Sequence, residues 1–177
     1  MPNPTPSNII LIGFMGTGKT TVGRALADKL GFTFVDTDDE IVRTAGKPIT
    51  QIFADDGEEA FRDLESTTLK NLGSRSRHII STGGGIILRA GNREILKSLG
   101  FTVWLSADEE TIFQRVSKNR ARPLVQTDDP RKSIHDLLTS RLPLYRESAH
   151  LTLDTSGLDS EEIAFGIKES ALHHFSQ

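Results

Sequence analysis

The octapeptide Gly13-Phe14-Met15-Gly16-Thr17-Gly18-Lys19-Thr20 fills every required position of the pattern G-x-x-x-x-G-K-[ST]. Glycines at these places let the backbone curl around a phosphate group and turn several N–H groups toward it. Lys19 has the reach for β- and γ-phosphates, and Thr20 carries a hydroxyl suited to Mg²⁺. Gly16, Thr17, Gly18 and Thr21 complete the expected nucleotide-binding stretch. The flanks agree with this reading. Asn8-Ile9-Ile10-Leu11-Ile12 is a short apolar run of the kind that forms a buried parallel strand. On the other side, Val22, Leu26 and Leu30 recur every four residues, the spacing of one helical face, and Gly31 is placed to end that helix.

Four further strand-like runs follow: Thr33-Phe34-Val35 before Asp36, His78 to Thr82 before Gly83-Gly84-Gly85, Thr102 to Leu105 before Ser106, and Leu151-Thr152-Leu153 before Asp154. Helical patterns separate most of them. The alternation predicts an α/β fold, a three-layer sandwich around a five-stranded parallel sheet, with ligands beyond the carboxyl ends of the strands. Two segments exceed a minimal alternation. Residues from about 37 to 72 read as a helical insertion anchored by Ile49, Ile52, Phe53, Phe61, Leu64 and Leu69. Residues from about 117 to 131 are rich in charge and proline, lack apolar periodicity and read as a loop of the lid type.

Bulk properties narrow the class. A chain of 177 residues suits one domain, and 36% hydrophobic with 25% charged residues is ordinary for a water-soluble protein. A net charge of −3 argues against a surface that coats nucleic acid. There is no cysteine, which removes disulfides, thiolate chemistry and Cys-type zinc sites. No apolar run approaches the length of a membrane span. Only seven residues precede the first strand, so no signal or transit peptide is expected and a cytoplasmic monomer is the simple expectation. The five histidines, at 78, 135, 150, 173 and 174, are scattered without metal-ligand spacing, and Trp104 reads as core.

Chemistry-bearing residues fall at the predicted strand ends. Asp36 suits Mg²⁺, held through water, because that ion takes oxygen ligands. Asp38 suits a substrate hydroxyl. The ordinary alternative for acids here is capping of the next helix, assigned to Asp39 and Glu40. Arg62 and Arg141 carry guanidinium forks that match a carboxylate. The alternative for Arg62 is a helix pair with Glu65, and for Arg141 a solvated helix position. Three consecutive glycines allow either a tight turn or close approach to a ligand.

The phosphate loop together with Asp36-Thr37-Asp38, Gly57-Glu58-Glu59-Ala60-Phe61-Arg62-Asp63-Leu64-Glu65, Gly83-Gly84-Gly85, Arg122-Pro123-Leu124 and Arg141-Leu142-Pro143-Leu144-Tyr145 resembles the shikimate kinase family from about residue 9 to 155. These are small ATP-dependent kinases of aromatic amino-acid biosynthesis, with the P-loop kinase fold. The resemblance implies Asp38 on the attacking hydroxyl, as aligning group or base. It implies Arg62 and Arg141 on the shikimate carboxylate with backbone help from Gly84 and Gly85. Arg122 would meet the γ-phosphoryl group from the lid, and Arg115 with the loop around Thr155 would flank adenine. Mg²⁺ would sit at Thr20 and Asp36, with ATP and shikimate as the only partners expected. A kinase for another hydroxy acid such as gluconate, or for a nucleoside monophosphate, is the nearest alternative. A silent nucleotide-binding module fits less well, because Lys19, Thr20, Asp36, Asp38 and Arg122 are all intact.

Overall fold

A computed structural model describes residues 7–118 and 127–177. β1 (Asn8–Ile12) runs up the middle of the sheet and leads through the glycine loop into α1 (Lys19–Leu30). β2 (Thr33–Asp36) is followed by α2 (Thr37–Ala45) and α3 (Ile49–Leu72), and β3 (His78–Ser81) by a short 3₁₀ turn (Ile86–Leu88) and α4 (Ala90–Leu99). β4 (Gly100–Ser106), α5 (Glu109–Ser117), α6 (Pro130–Ser148), β5 (Leu151–Asp154) and α7 (Ser160–Phe175) complete the order. All strand pairs are parallel, in the order β2-β3-β1-β4-β5. The predicted five-stranded α/β sheet is therefore what forms.

Side-chain alternation along β1 produces the three layers. Ile9 and Leu11 face one side, where Val22, Leu26 and Ala27 of α1 and Ile163, Ala164 and Ile167 of α7 cover them. Ile10 and Ile12 face the other, against Leu69 and Leu72 of α3, Leu96 of α4 and Tyr145 of α6. These isoleucines and leucines of β1 are 0% exposed, each worth about 1.5–3 kcal/mol of burial. At the lower edge Asn8 ties β1 to β3 and to the segments that lead into β3 and β4. Its amide donates to the carbonyls of Arg75 (2.8 Å) and Leu99 (3.2 Å), and its oxygen accepts from the amide of His78 (3.0 Å). Among the described residues no helix is long and apolar enough to cross a membrane.

The structure amends some boundaries. β4 begins two residues before the predicted run, and β2 and β5 reach their acidic residues. The insertion is two helices, the second kinked at Gly57 (φ 85°). Phe53, expected to be an anchor, is 38% exposed and lies against Phe61, ring centres 4.9 Å apart. The charged segment is not a loop throughout. Ser117 ends α5, while Asp129 caps and Pro130 opens α6, the position where a missing N–H costs nothing. Arg131 pairs with Glu110 (2.5 Å) over the Phe113 ring. Nor are all the histidines scattered: His150 and His174 meet beside Phe101, their ring centres 5.3 Å apart, because α7 ends where β5 begins.

Candidate active site

The site opens where β1, β2, β3, β4 and β5 release their chains, around a cavity of about 570 Å³ lined in part by Lys19, Asp36, Asp38, Gly84, Arg115 and Thr155. The glycine loop forms its floor. Gly18 takes φ 88° as the residue before α1, a left-handed conformation that a side chain would resist. This turns the first amides of α1 toward the cavity, where a helix N-terminus favours anions. Thr17 is buried and donates to the Phe14 carbonyl (2.8 Å), closing the loop on itself. Lys19 Nζ lies along the loop, donating to the carbonyls of Gly13 (2.7 Å) and Phe14 (2.9 Å). Thr20 and Thr21 are exposed beside it.

Asp36 performs two jobs at once. One oxygen caps α2, accepting from the amides of Asp38 (2.9 Å) and Asp39 (3.4 Å). The other faces the Thr20 hydroxyl at 3.4 Å. The capping role expected of Asp39 and Glu40 thus falls to Asp36 itself, and those two supply only first-turn negative charge. Burial raises the Asp36 carboxyl above its usual range, and the amides it accepts from oppose that rise. Thr20 and Asp36 together present hard oxygen donors to one side of the loop, a set that suits Mg²⁺ with water in its remaining positions. No cluster of three or more His, Asp or Glu side chains arranged for a metal exists among the described residues.

Asp38 starts the opposite wall. Its Oδ1 is buried and meets no hydrogen-bond partner among the described residues. Desolvation, then the charges of Asp36 and Glu65, push its pKa from 3.8 to about 6, while Lys19 pulls it down. The carboxylate is therefore a stronger proton acceptor than an exposed aspartate, yet ionised at neutral pH.

The three glycines are where the remaining groups converge. A Cβ on Gly83 would lie 2.8 Å from Asp38 Oδ1, one on Gly84 3.4 Å from an Arg141 guanidinium nitrogen, and one on Gly85 2.3 Å from an Arg62 nitrogen. Close approach, rather than turn geometry, is what requires glycine here. Arg62 is held by Glu65, which is 1% exposed, at 2.5 Å, and by Glu58 at 3.2 Å. Burial raises the Glu65 carboxyl and the Arg62 guanidinium opposes this. Arg141 is only 8% exposed, above the Phe14 ring, and not solvated. Both arginines keep a buried Nε without a partner among the described residues, as does Glu65 an oxygen. Two guanidinium groups and a carboxylate beside a phosphate loop can grip an acid and orient its hydroxyl.

Arg115 reaches from α5 to the Gly16 carbonyl (3.0 Å) and the Thr155 hydroxyl (3.4 Å), and Thr155 in turn donates to the Ser106 carbonyl (3.0 Å). Leu158, Ser160 and Ile163 also line this end, and nothing in the sequence flagged them. Two other residues carried no role in the sequence reading. Thr37 accepts from the Gly83 amide (3.2 Å), and Tyr145 donates to the Gly84 carbonyl (2.6 Å). Both were visible inside motifs but had no partner to name. Arg122, with Pro123 and Leu124, lies outside the described residues.

Known proteins are similar throughout this frame. The shikimate kinase family profile matches residues 15–171. A curated shikimate kinase of Thermodesulfovibrio yellowstonii is 47% identical over 89% of this chain and 90% of its own length. A solved Acinetobacter baumannii shikimate kinase in complex with shikimate superposes with a TM-score of 0.91 at 44% identity, covering 97% of this chain and 96% of that one. A solved Aquifex aeolicus shikimate kinase gives 0.79 at 34% identity, covering 94% and 97%. The chain belongs to the shikimate kinase family.

Proposed function

We propose that this chain transfers the γ-phosphoryl group of ATP to the 3-hydroxyl of shikimate, giving shikimate 3-phosphate and ADP. The observation that carries this is the convergence of Asp38, Arg62 and Arg141 on Gly83–Gly85 beside a phosphate loop. The amides of the loop and Lys19 take the phosphates of ATP, and Arg115 with the Thr155 loop takes adenine. Arg62 and Arg141 hold the shikimate carboxylate bidentately, aided by the amides of the glycine run. That fixes the ring so that the 3-hydroxyl lies at Asp38. The hydroxyl oxygen attacks the γ-phosphorus as the bond from that phosphorus to the ADP oxygen breaks, and Asp38 accepts the hydroxyl proton. Its pKa near 6 suits that task at neutral pH. Mg²⁺ held by Thr20 and, through water, Asp36 would neutralise phosphate charge. Arg122 is assigned the developing γ-phosphoryl charge by resemblance.

An ATP-consuming reaction on a small acid fits the cytoplasmic location expected from the sequence. The test is ADP release measured with shikimate, gluconate and a nucleoside monophosphate in parallel. Turnover confined to shikimate is expected. A well-folded protein that prefers either of the other acceptors rules the assignment out.

A further inference from the structure

Tyr145 is the chain's sole tyrosine and is 0% exposed, one helical turn beyond Arg141 on α6. Its ring stacks on Trp104 (centres 5.7 Å apart, planes 22° apart), which fixes where the hydroxyl can point. That hydroxyl donates to the Gly84 carbonyl at 2.6 Å. A carbonyl and the following N–H belong to one planar unit and, in the trans form found throughout the described residues, point in opposite directions. Pinning the Gly84 oxygen toward Tyr145 therefore aims the Gly85 N–H away from it. The neighbouring amides are already committed: Gly83 N–H donates to Thr37 and Ile86 N–H to the Gly83 carbonyl (3.1 Å). The amides of Gly84 and Gly85 meet no acceptor among the described residues. Both lie within the run that touches Arg62 and Arg141.

We propose that Tyr145 is a positioning residue for acceptor binding: by holding the Gly84 carbonyl it presents the Gly85 N–H, in step with Arg141, to the carboxylate of the substrate. This rests on the shikimate reading above. Burial pushes the phenol up to about 12, so the hydroxyl keeps its proton and remains a donor across the working pH range. The aromatic stack supplies rigidity and the hydroxyl supplies direction, two contributions that one substitution separates.

Tyr145→Phe keeps the ring and removes the donor. It is assayed with shikimate and with the analogue in which hydroxymethyl replaces the carboxylate. We expect kcat/KM for shikimate to fall about tenfold, mainly through KM, with KM for ATP unchanged, and less than twofold loss for the analogue. Unchanged kinetics with shikimate, or equal losses with both acceptors, overturn the proposal, the second by reducing Tyr145 to a packing role. A wild-type protein without shikimate turnover instead removes the functional reading beneath it. Should Tyr145→Phe fail to fold by Trp104 fluorescence, wild-type protein grown on 3-fluorotyrosine carries the test, since only one position is labelled. Hydrogen bonding at one end of a peptide unit polarises the other. Its ¹⁹F resonance is expected to move on saturation with shikimate and to stay in place with the analogue. No movement with shikimate overturns the proposal.

Discussion

Asp38→Asn should make the ligand-free protein more stable while abolishing most of its activity. The folded protein holds the Asp38 carboxyl near pKa 6 against an ordinary value of 3.8. At about 1.4 kcal/mol for each pH unit, that difference amounts to about 3 kcal/mol of destabilisation by the ionised form. The cavity admits some water, and the charges that raise this pKa would relax around a neutral neighbour, so about 1–2 kcal/mol is the expected gain. The sign follows from where the proton binds. Between pH 4 and 6 the folded state holds it more tightly than the unfolded chain, so wild-type stability falls as pH rises through that window and the cost is fully present above it. Asparagine does not titrate, so its advantage should be present at pH 7 and vanish below about pH 4. Urea unfolding followed by the fluorescence of Trp104, the sole tryptophan and 6% exposed, measures both. Turnover should fall by about 10²-fold or more, the usual contribution of a positioned base. An asparagine variant no more stable than wild type at pH 7, or equally stabilised at both pH values, would refute a raised Asp38 pKa in the folded protein.

In wild-type enzyme, kcat/KM for shikimate should decline as pH drops through about 6, because protonated Asp38 cannot accept the hydroxyl proton; a profile flat to pH 4.5 assigns that role elsewhere. Gly85→Ala places a methyl 2.3 Å from an Arg62 nitrogen that buried Glu65 holds in place, so shikimate KM should rise at least tenfold, with about 1–3 kcal/mol of lost stability and unchanged KM for ATP in steady-state kinetics. Arg141→Lys replaces a fork by a point charge and should likewise raise shikimate KM at least tenfold without moving KM for ATP. Asn8→Ala strips partners from one buried and two part-buried backbone groups far from the cavity, and chemical denaturation should register about 1–3 kcal/mol of lost stability with normal turnover per folded molecule.

What could be read ahead of the structure was what local chemistry determines. The strand, loop and helix around Lys19 are contiguous, so spacing and residue type suffice, and the same holds for the other strand ends. Asp36 shows where that stops. Its motif marks it for an ion and leaves capping to its neighbours, yet one carboxylate has two oxygens, and Asp36 caps α2 with one while the other faces the Thr20 hydroxyl. Arg141 has the local pattern of a surface residue. Its burial over Phe14 exists only because α6 returns across the sheet to the first loop, a contact made by topology alone. Tyr145 and Thr37 show no local signal for the same reason, since their partners are backbone atoms of the distant glycine run. Pro130 opens a helix inside a stretch whose charge and proline content reads as loop, because proline serves both purposes and the cap at Asp129 decides between them.

The order β2-β3-β1-β4-β5 has a consequence for how such a protein can change. Asp36 and Asp38 follow β2 and the glycine run follows β3, on one flank of the central strand. Arg115 and Thr155 follow β4 and β5, on the other. The groups proposed for the acceptor thus lie mostly on one flank and those proposed for adenine on the other, with the phosphate loop between them; Arg141, carried by α6 between β4 and β5, is the proposed acceptor group that crosses this boundary. The loops after β2 and β3, with the helices that lean on them, form an exchangeable module. A chimera that replaces this half together with α6, while keeping Asp36, should keep its appetite for ATP while learning a new acid.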